Sequence, residues 1–183
     1  MFFAHLFAGY LVSRKVKDNH KDKQLVPRYI LFGLFCSVMP DLDLIYFYTW
    51  DHRQHIHHSY WTHIPLFWIA CCTALYLFSK LLKKNLNPYI LLILLNTLLH
   101  LFLDSVVGGI YWFYPITDDY LRMFTLTSRY NWWVLNYLIH WTFLFELAII
   151  ATAIYMLRID FSRKPNRTEK RILLLEASEQ DQA

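Results

Sequence analysis

The sequence predicts an all-α fold, an integral membrane helical bundle of about five membrane-embedded helices with the N-terminus outside. Three observations carry this expectation. Hydrophobic residues make up 56% of the chain and aromatics 19%, and they gather in runs instead of spreading evenly. Several of these runs approach the roughly 20 residues that a helix needs to span a bilayer core. The stretches between the runs alternate between basic and non-basic, as happens when Lys and Arg collect on the cytoplasmic side.

Taken in order, residues 1–12 are apolar but short, about 18 Å as a helix, and predict a short or partly inserted first helix. No basic residue precedes them and no small-residue cleavage site follows, so they make a poor signal peptide. Arg14, Lys15, Lys17, Lys21, Lys23 and Arg28 then form a basic loop over 14–28. Residues 29–49 read as the second crossing and 50–63 as a short loop rich in histidine and aromatics. Residues 64–82 are the third crossing, with Lys80, Lys83 and Lys84 at its end. Residues 88–107 are the fourth, 108–132 a longer connection, and 133–157 the fifth. The chain therefore reads as one membrane-embedded domain, 1–160, and a polar cytoplasmic tail, 161–183. The basic stretches 14–28, 80–87 and 158–171 fall on the cytoplasmic side. Tyr46, Tyr48, Trp50, Tyr60, Trp61, Trp112, Tyr114, Trp132 and Trp133 cluster at the opposite boundary, where an aromatic belt is expected. Cys36, Cys71 and Cys72 all lie in apolar runs and read as small buried side chains. The net charge of +4 resides in loops, and no nucleic-acid partner is expected.

Against this apolar background the polar residues inside the crossings need a reason, because an ionised side chain at a helix centre costs about 2.5–3.5 kcal/mol on insertion scales. His100 and Asp104 are four residues apart and stack on one helix face, with Asn96 one turn earlier. Counted from the inner end of its crossing, His100 lies roughly 18 Å up and Asp104 roughly 24 Å. Asp41 lies roughly 18 Å up the second crossing by the same count. His5 falls near the outer end of the first helix, and His58 and His63 close the loop before the third. Independent placement would scatter these groups; instead they meet at one depth. Asp41 and Asp43 would point about 200° apart on a regular helix, but Pro40 removes a backbone donor and disfavours helix at Met39. A break there re-aims both carboxylates, and non-helical backbone at such depth is tolerated beside protein or water. The plainer alternative is a proline kink with the carboxylates capping the restarted helix.

His5, Asp41, Asp43, His58, His63, His100 and Asp104 are thus the candidate metal ligands, with Asp43 and His63 the candidate catalytic residues. Mixed His and Asp donors suit zinc, manganese or iron, and the number of candidates is enough for two ions. His52 and His55 read as solvated loop residues, His57 and His140 are undecided, and Glu146 reads as a structural partner within the bundle. His20 lies in the cytoplasmic loop and cannot join the site. Arg53, Arg122 and Arg129 lie on the outer side, where a phosphate would meet them.

Several of these residues also carry a resemblance. His5 with Gly9, Met39-Pro40-Asp41-Leu42-Asp43, the His58–His63 pair, His100-x3-Asp104-Ser105, and Gly108-Gly-Ile-Tyr-Trp-Phe-Tyr-Pro115 resemble the membrane-bound metal-dependent hydrolases of the YdjM-like inner-membrane family, in order, over about 1–160. The segment from His58 to Ile64 keeps both histidines and Thr62 of that family's His-Arg-Gly-x-Thr-His-Ser motif but lacks its arginine and final serine. The resemblance implies an inner-membrane location and metal-dependent hydrolysis, akin to zinc-dependent phospholipase C chemistry. The donor set predicts a divalent metal, zinc first and manganese second, and a pocket in the outer leaflet rimmed by aromatics makes a phosphoester or acyl bond of a lipid, or a small-molecule phosphoester, the expected substrate class. Two other classes compete: a structural or adaptor membrane protein whose polar groups only join helices, and a metal or proton transporter. Transport would call for a second polar set in the inner leaflet, and the sequence places only Glu146 deeper.

Overall fold

The computed structural model describes residues 3–18 and 26–162. The described residues form seven α-helices and no β-strand: α1 (Ala4–Asp18), α2 (Val26–Val38), α3 (Asp43–Thr49), α4 (Pro65–Leu81), α5 (Asn87–Asp104), α6 (Trp133–Leu138) and α7 (Phe143–Ser162). The chain divides into two compact units, 1–153 and 154–183. In the second, the described residues are the last turns of α7. His20, Lys21, Lys23 and the tail from residue 163 lie outside the described residues.

The all-helical expectation stands, but among the described residues one helix, Asn87–Asp104, is long and apolar enough to cross a membrane, or two if a bent pair counts as one span, short of the five crossings expected. That pair is Pro27–Val38 with Pro40–Thr49, bent by 54°. The segment read as the second crossing is thus broken where Pro40 interrupts the hydrogen-bond ladder, and a 3-10 turn over Pro40–Leu42 fills the gap. Three boundaries differ from the sequence expectation. The first helix runs on through Arg14 and Lys15 to Asp18, so part of the basic loop is helical. α4 is an apolar helix of 17 residues, short of a full span. The segment read as the fifth crossing is split, with His140 and Thr142 in the break between α6 and α7.

Helices α1, α2 and α5 pack mutually, and α4 packs against α5. Small residues let the first three approach closely. A Cβ on Gly9 would sit 2.4 Å from Ser37 Cβ, and one on Gly33 would sit 1.8 Å from Ser13 Oγ. Both would also come within 3.2–3.4 Å of the Asn96 side chain. Gly9-x3-Ser13 on α1 therefore meets Gly33-x3-Ser37 on α2 in antiparallel register, the small-residue packing that membrane helices favour. Contacts between residues 33 and 96 and between 37 and 100 make α2 and α5 parallel.

Beside an apolar core that includes Leu92, Leu101 and Ile110, the bundle buries several polar side chains and exposes many large apolar ones. His63, His100, Asn96, Thr97, Thr142 and Glu146 are buried, while Leu31, Leu77, Phe78, Leu81, Phe145 and Tyr155 are exposed. Exposed apolar surface on this scale marks contact with a membrane or partner. Glu146 shows why the inside is polar. Its carboxylate accepts the backbone N–H groups of Phe3 and Ala4 and the Tyr137 hydroxyl. A carboxylate at a helix N-terminus contributes up to about 2 kcal/mol when partly buried, and here it pins the first turn of α1, which carries His5.

Candidate metal centre

The centre is built on the last turn of α5. His100 Nε2 lies 3.0 Å from Asp104 Oδ2, as their four-residue spacing predicts. The break at Pro40 delivers Asp41, whose Oδ1 is 3.5 Å from His100 Nε2 and 3.7 Å from His63 Nε2. A 3-10 turn over Trp61–His63, closed by Pro65 at the start of α4, delivers His63. One donor atom from each of Asp41, His63, His100 and Asp104 lies within 4.8 Å of the others.

The backs of the two imidazoles are held. His63 Nδ1 is 2.9 Å from Asp43 Oδ2, an oxygen that also accepts the Thr62 hydroxyl. His100 Nδ1 donates to the Ser37 carbonyl at 2.8 Å. In an unbroken helix that carbonyl would pair with the Asp41 amide one turn on, so the break serves twice: it aims Asp41 and frees an anchor for His100. With both Nδ1 atoms engaged, both Nε2 atoms face the carboxylates. Both are buried, and neither makes a well-aligned hydrogen bond, although carboxylate oxygens of Asp41 and Asp104 lie 3.0–3.9 Å away. A buried polar atom left so costs about 1–3 kcal/mol, and two such atoms facing two carboxylates fit a divalent cation. Carboxylate and carbonyl partners behind histidine ligands are the usual second layer of a metal site, and a two-imidazole, two-carboxylate set suits zinc, manganese or iron.

Other residues close around this group. His5 Nε2 is 3.1 Å from Asp104 Oδ1, and its ring stacks on His100 at 3.9 Å. His57 Nε2 is 2.7 Å from Asp43 Oδ1. His57, His58 and His63 form a second group of potential ligands. His58 Nε2 lies 3.8 Å from Asp104 Oδ2, and its ring rests on Gly108, where a Cβ would come within 2.5 Å of it. Burial pushes the His58 pKa down to about 4, against the pull of Asp104 and with help from His63 and His57. It is therefore a neutral donor at pH 7. Burial also opposes charge on His63, but Asp41 and Asp43 outweigh it and hold that pKa above the usual value. A cavity of about 630 Å³ opens over the centre, lined by His5, Asp41, His57, His58 and Asp104 with Tyr48 at its wall.

The structure gathers all seven sequence candidates. Asp41, His63, His100 and Asp104 share one group; His58 belongs to the neighbouring one; His5 and Asp43 stand behind Asp104 and His63. His57, left undecided by the sequence, joins them. Nothing in a loop of five histidines distinguishes it until its distance to Asp43 is seen. His55 pairs with Asp51 at 2.6 Å instead, His52 is exposed, and His140 bonds Thr142 at 2.9 Å. Of the three outer arginines, Arg53 lies 4.8 Å over the Tyr48 ring at the cavity wall, and Arg122 stacks on Tyr120. Met123 and Phe124 donate backbone hydrogen bonds to Ser105 and Val106, which folds the long connection back onto the end of α5.

A family model described as "YdjM inner membrane protein" matches residues 1–171. No curated protein and no solved structure matches the chain. The chain belongs to the YdjM inner membrane protein family, and the His/Asp cluster described above lies within the matched residues.

Proposed function

We propose that this YdjM-family membrane protein is a metal-dependent hydrolase acting at the outer leaflet on a phosphoester, with a lipid as the expected substrate class. The observation that carries the reading is the pair of buried Nε2 atoms, on His63 and His100, gathered with Asp41 and Asp104, the two carboxylates of that group that line an open cavity. Zinc is the first choice and manganese the second. A bundle that only glued helices together would gain little from turning two buried imidazole nitrogens and two carboxylates into one shared space.

Asp41, His63, His100 and Asp104 would hold the ion. When bound, it would bring the pKa of water to about 7 and offset charge on a phosphoryl oxygen. Asp43 keeps the proton of His63 on Nδ1 and so keeps Nε2 available. Asp43 also faces His57 Nε2, and that imidazole reaches the cavity. His57 is thus placed to carry a proton between the cavity and the Asp43 carboxylate. His5 fixes Asp104 through its second oxygen. Arg53, stacked on Tyr48 at the wall, is the candidate for binding phosphate.

The proposed topology has about five crossings, the N-terminus outside, and the basic loops and C-terminus in the cytoplasm. The antiparallel α1–α2 and parallel α2–α5 registers support it, since successive crossings of one bundle run in opposite senses and the second and fourth therefore run in the same sense. The exposed Trp50, Trp61, Trp132 and Trp133 support an interface at the site's level.

The test is turnover of a phosphomonoester, phosphodiester and phospholipid panel by purified protein in mild detergent. Activity is expected with zinc or manganese, lost on chelation, restored by the ion, and absent in Asp104→Asn. Zinc-loaded protein that turns over none of the panel would sink the hydrolase reading, whatever its metal content.

A further inference from the structure

A second cavity lies away from the one over the metal centre. It is a groove of about 1170 Å³ between the α2–α3 arm and α4. Leu42 and Tyr46 form one wall, and Phe67, Cys71, Ala74 and Phe78 form the other. From Phe67 to Phe78 the groove follows α4 for about 16 Å. Ile93 of α5 is part of its lining, because both flanking elements rest on α5.

The lining changes along its length. The stretch beside Cys71, Ala74 and Phe78 carries no charged or strongly polar group. The other end carries Asp43 and Thr62, with the tyrosines Tyr46 and Tyr60 beside Trp61. Tyr46 and Trp61 are exposed, and such rings settle at the level of lipid headgroups. Asp43 is the single carboxylate of the groove, and it is the one that touches His57 and His63. The polar end therefore abuts the residues that orient the metal centre, and the apolar end points down α4 toward the proposed cytoplasmic side.

We propose that this groove binds one acyl chain of an outer-leaflet phospholipid, with the ester region of the lipid at the Asp43–Thr62 end. The gradient from polar to apolar runs in the same sense as a lipid of that leaflet, headgroup outward and tail inward. Water would be a poor occupant, because a lining this apolar offers it few of the two to four partners it needs. A second protein chain would bury the apolar walls but leave the Asp43 end without a matching feature. The proposal deepens the hydrolase reading by giving it a lipid-tail subsite, and it rests on the same outer-leaflet topology.

Native mass spectrometry on the full-length protein, washed in mild detergent, reads the bound lipid directly. Ala74→Trp fills the groove from its exposed wall. Leu77→Trp adds the same ring to an exposed position of α4 that does not line it. The wild type and Leu77→Trp are expected to retain one phospholipid per chain and to regain it from dioleoylphosphatidylglycerol after delipidation. Ala74→Trp is expected to lose it and not to regain it. Metal content on the same three samples is expected to be equal, so a failure of the metal centre shows separately from a failure of the groove. Retention of lipid by Ala74→Trp at the wild-type level, or a change in its oligomeric state with lipid unchanged, would overturn the proposal. So would a wild type that holds no lipid.

Discussion

Helix α5 carries polar residues at two levels, and the two levels solve different problems. At the lower level Asn96 Nδ2 donates to Leu92 O at 2.9 Å and Thr97 Oγ1 to Ile93 O at 2.8 Å. Ser13 on α1 and Ser37 on α2 likewise bond back to their own helices. These side chains spend most of their hydrogen bonds locally and serve mainly as small, close-fitting surface. At the upper level His100 and Asp104 reach other elements: Ser37 O, His5, Asp41 and the loop histidines. Their remaining donor atoms converge on each other and not on their own backbone. Polar residues in a membrane helix thus have two uses, and the direction of their hydrogen bonds tells which is present.

That contrast predicts which changes cost the fold and which cost only the centre. The largest effect is expected at the lower level. Gly33→Leu should abolish the folded protein, because even a Cβ there meets Ser13 Oγ at 1.8 Å. Gly33→Ala should destabilise by about 1–3 kcal/mol, read as a lower unfolding midpoint in detergent, with metal stoichiometry retained in the protein that stays folded. A normal midpoint for Gly33→Leu would mean that the α1–α2 contact is not as close as described.

At the upper level, Asp43→Asn should leave the midpoint nearly unchanged yet weaken metal binding by about 10–100-fold, the usual effect of removing a group that orients a ligand. Competition with a chelating dye measures this. Equal affinity in the variant would show that Asp43 does not set the His63 orientation.

A smaller effect separates the two levels by pH. The His63 pKa is raised above 6.5 in the folded protein. Metal-free protein therefore gains stability from charged His63 below about pH 6.5, the unfolded value, and loses it as pH rises through the raised folded value. Metal binding needs the neutral imidazole, so metal affinity should climb over the same interval. Opposite pH slopes for apo-protein stability and metal affinity are the expected outcome, and His63→Gln should flatten the first. Parallel slopes would contradict the assignment of His63 as a ligand.

Much of this centre was legible in the sequence because each member violated a local rule. His100 and Asp104 interrupt an apolar helix, Pro40 interrupts another, and His58 and His63 flank a Tyr-Trp pair. The costs of those violations fall together only if the residues meet. Other features were hidden. His57 sits among four similar loop histidines, and its role depends on a distance to Asp43 that only the folded chain sets. Asp43 looks like a second ligand in sequence; its place behind His63 follows from the 3-10 turn at Pro40–Leu42, whose length no pattern announces. The split of the last crossing at His140–Thr142 was hidden too, since no proline or glycine marks it.

The most direct test of the account is metal content by elemental mass spectrometry, on protein purified in mild detergent without chelator, for the wild type, His100→Ala and His52→Ala. His100 presents a buried Nε2 to both carboxylates, and His52 is an exposed residue of the same histidine-rich protein. At least one equivalent of zinc or manganese is expected in the wild type and in His52→Ala, with none in His100→Ala. An absence of metal from all three, even after incubation with added ions, would contradict the account and leave the cluster as a bond between helices.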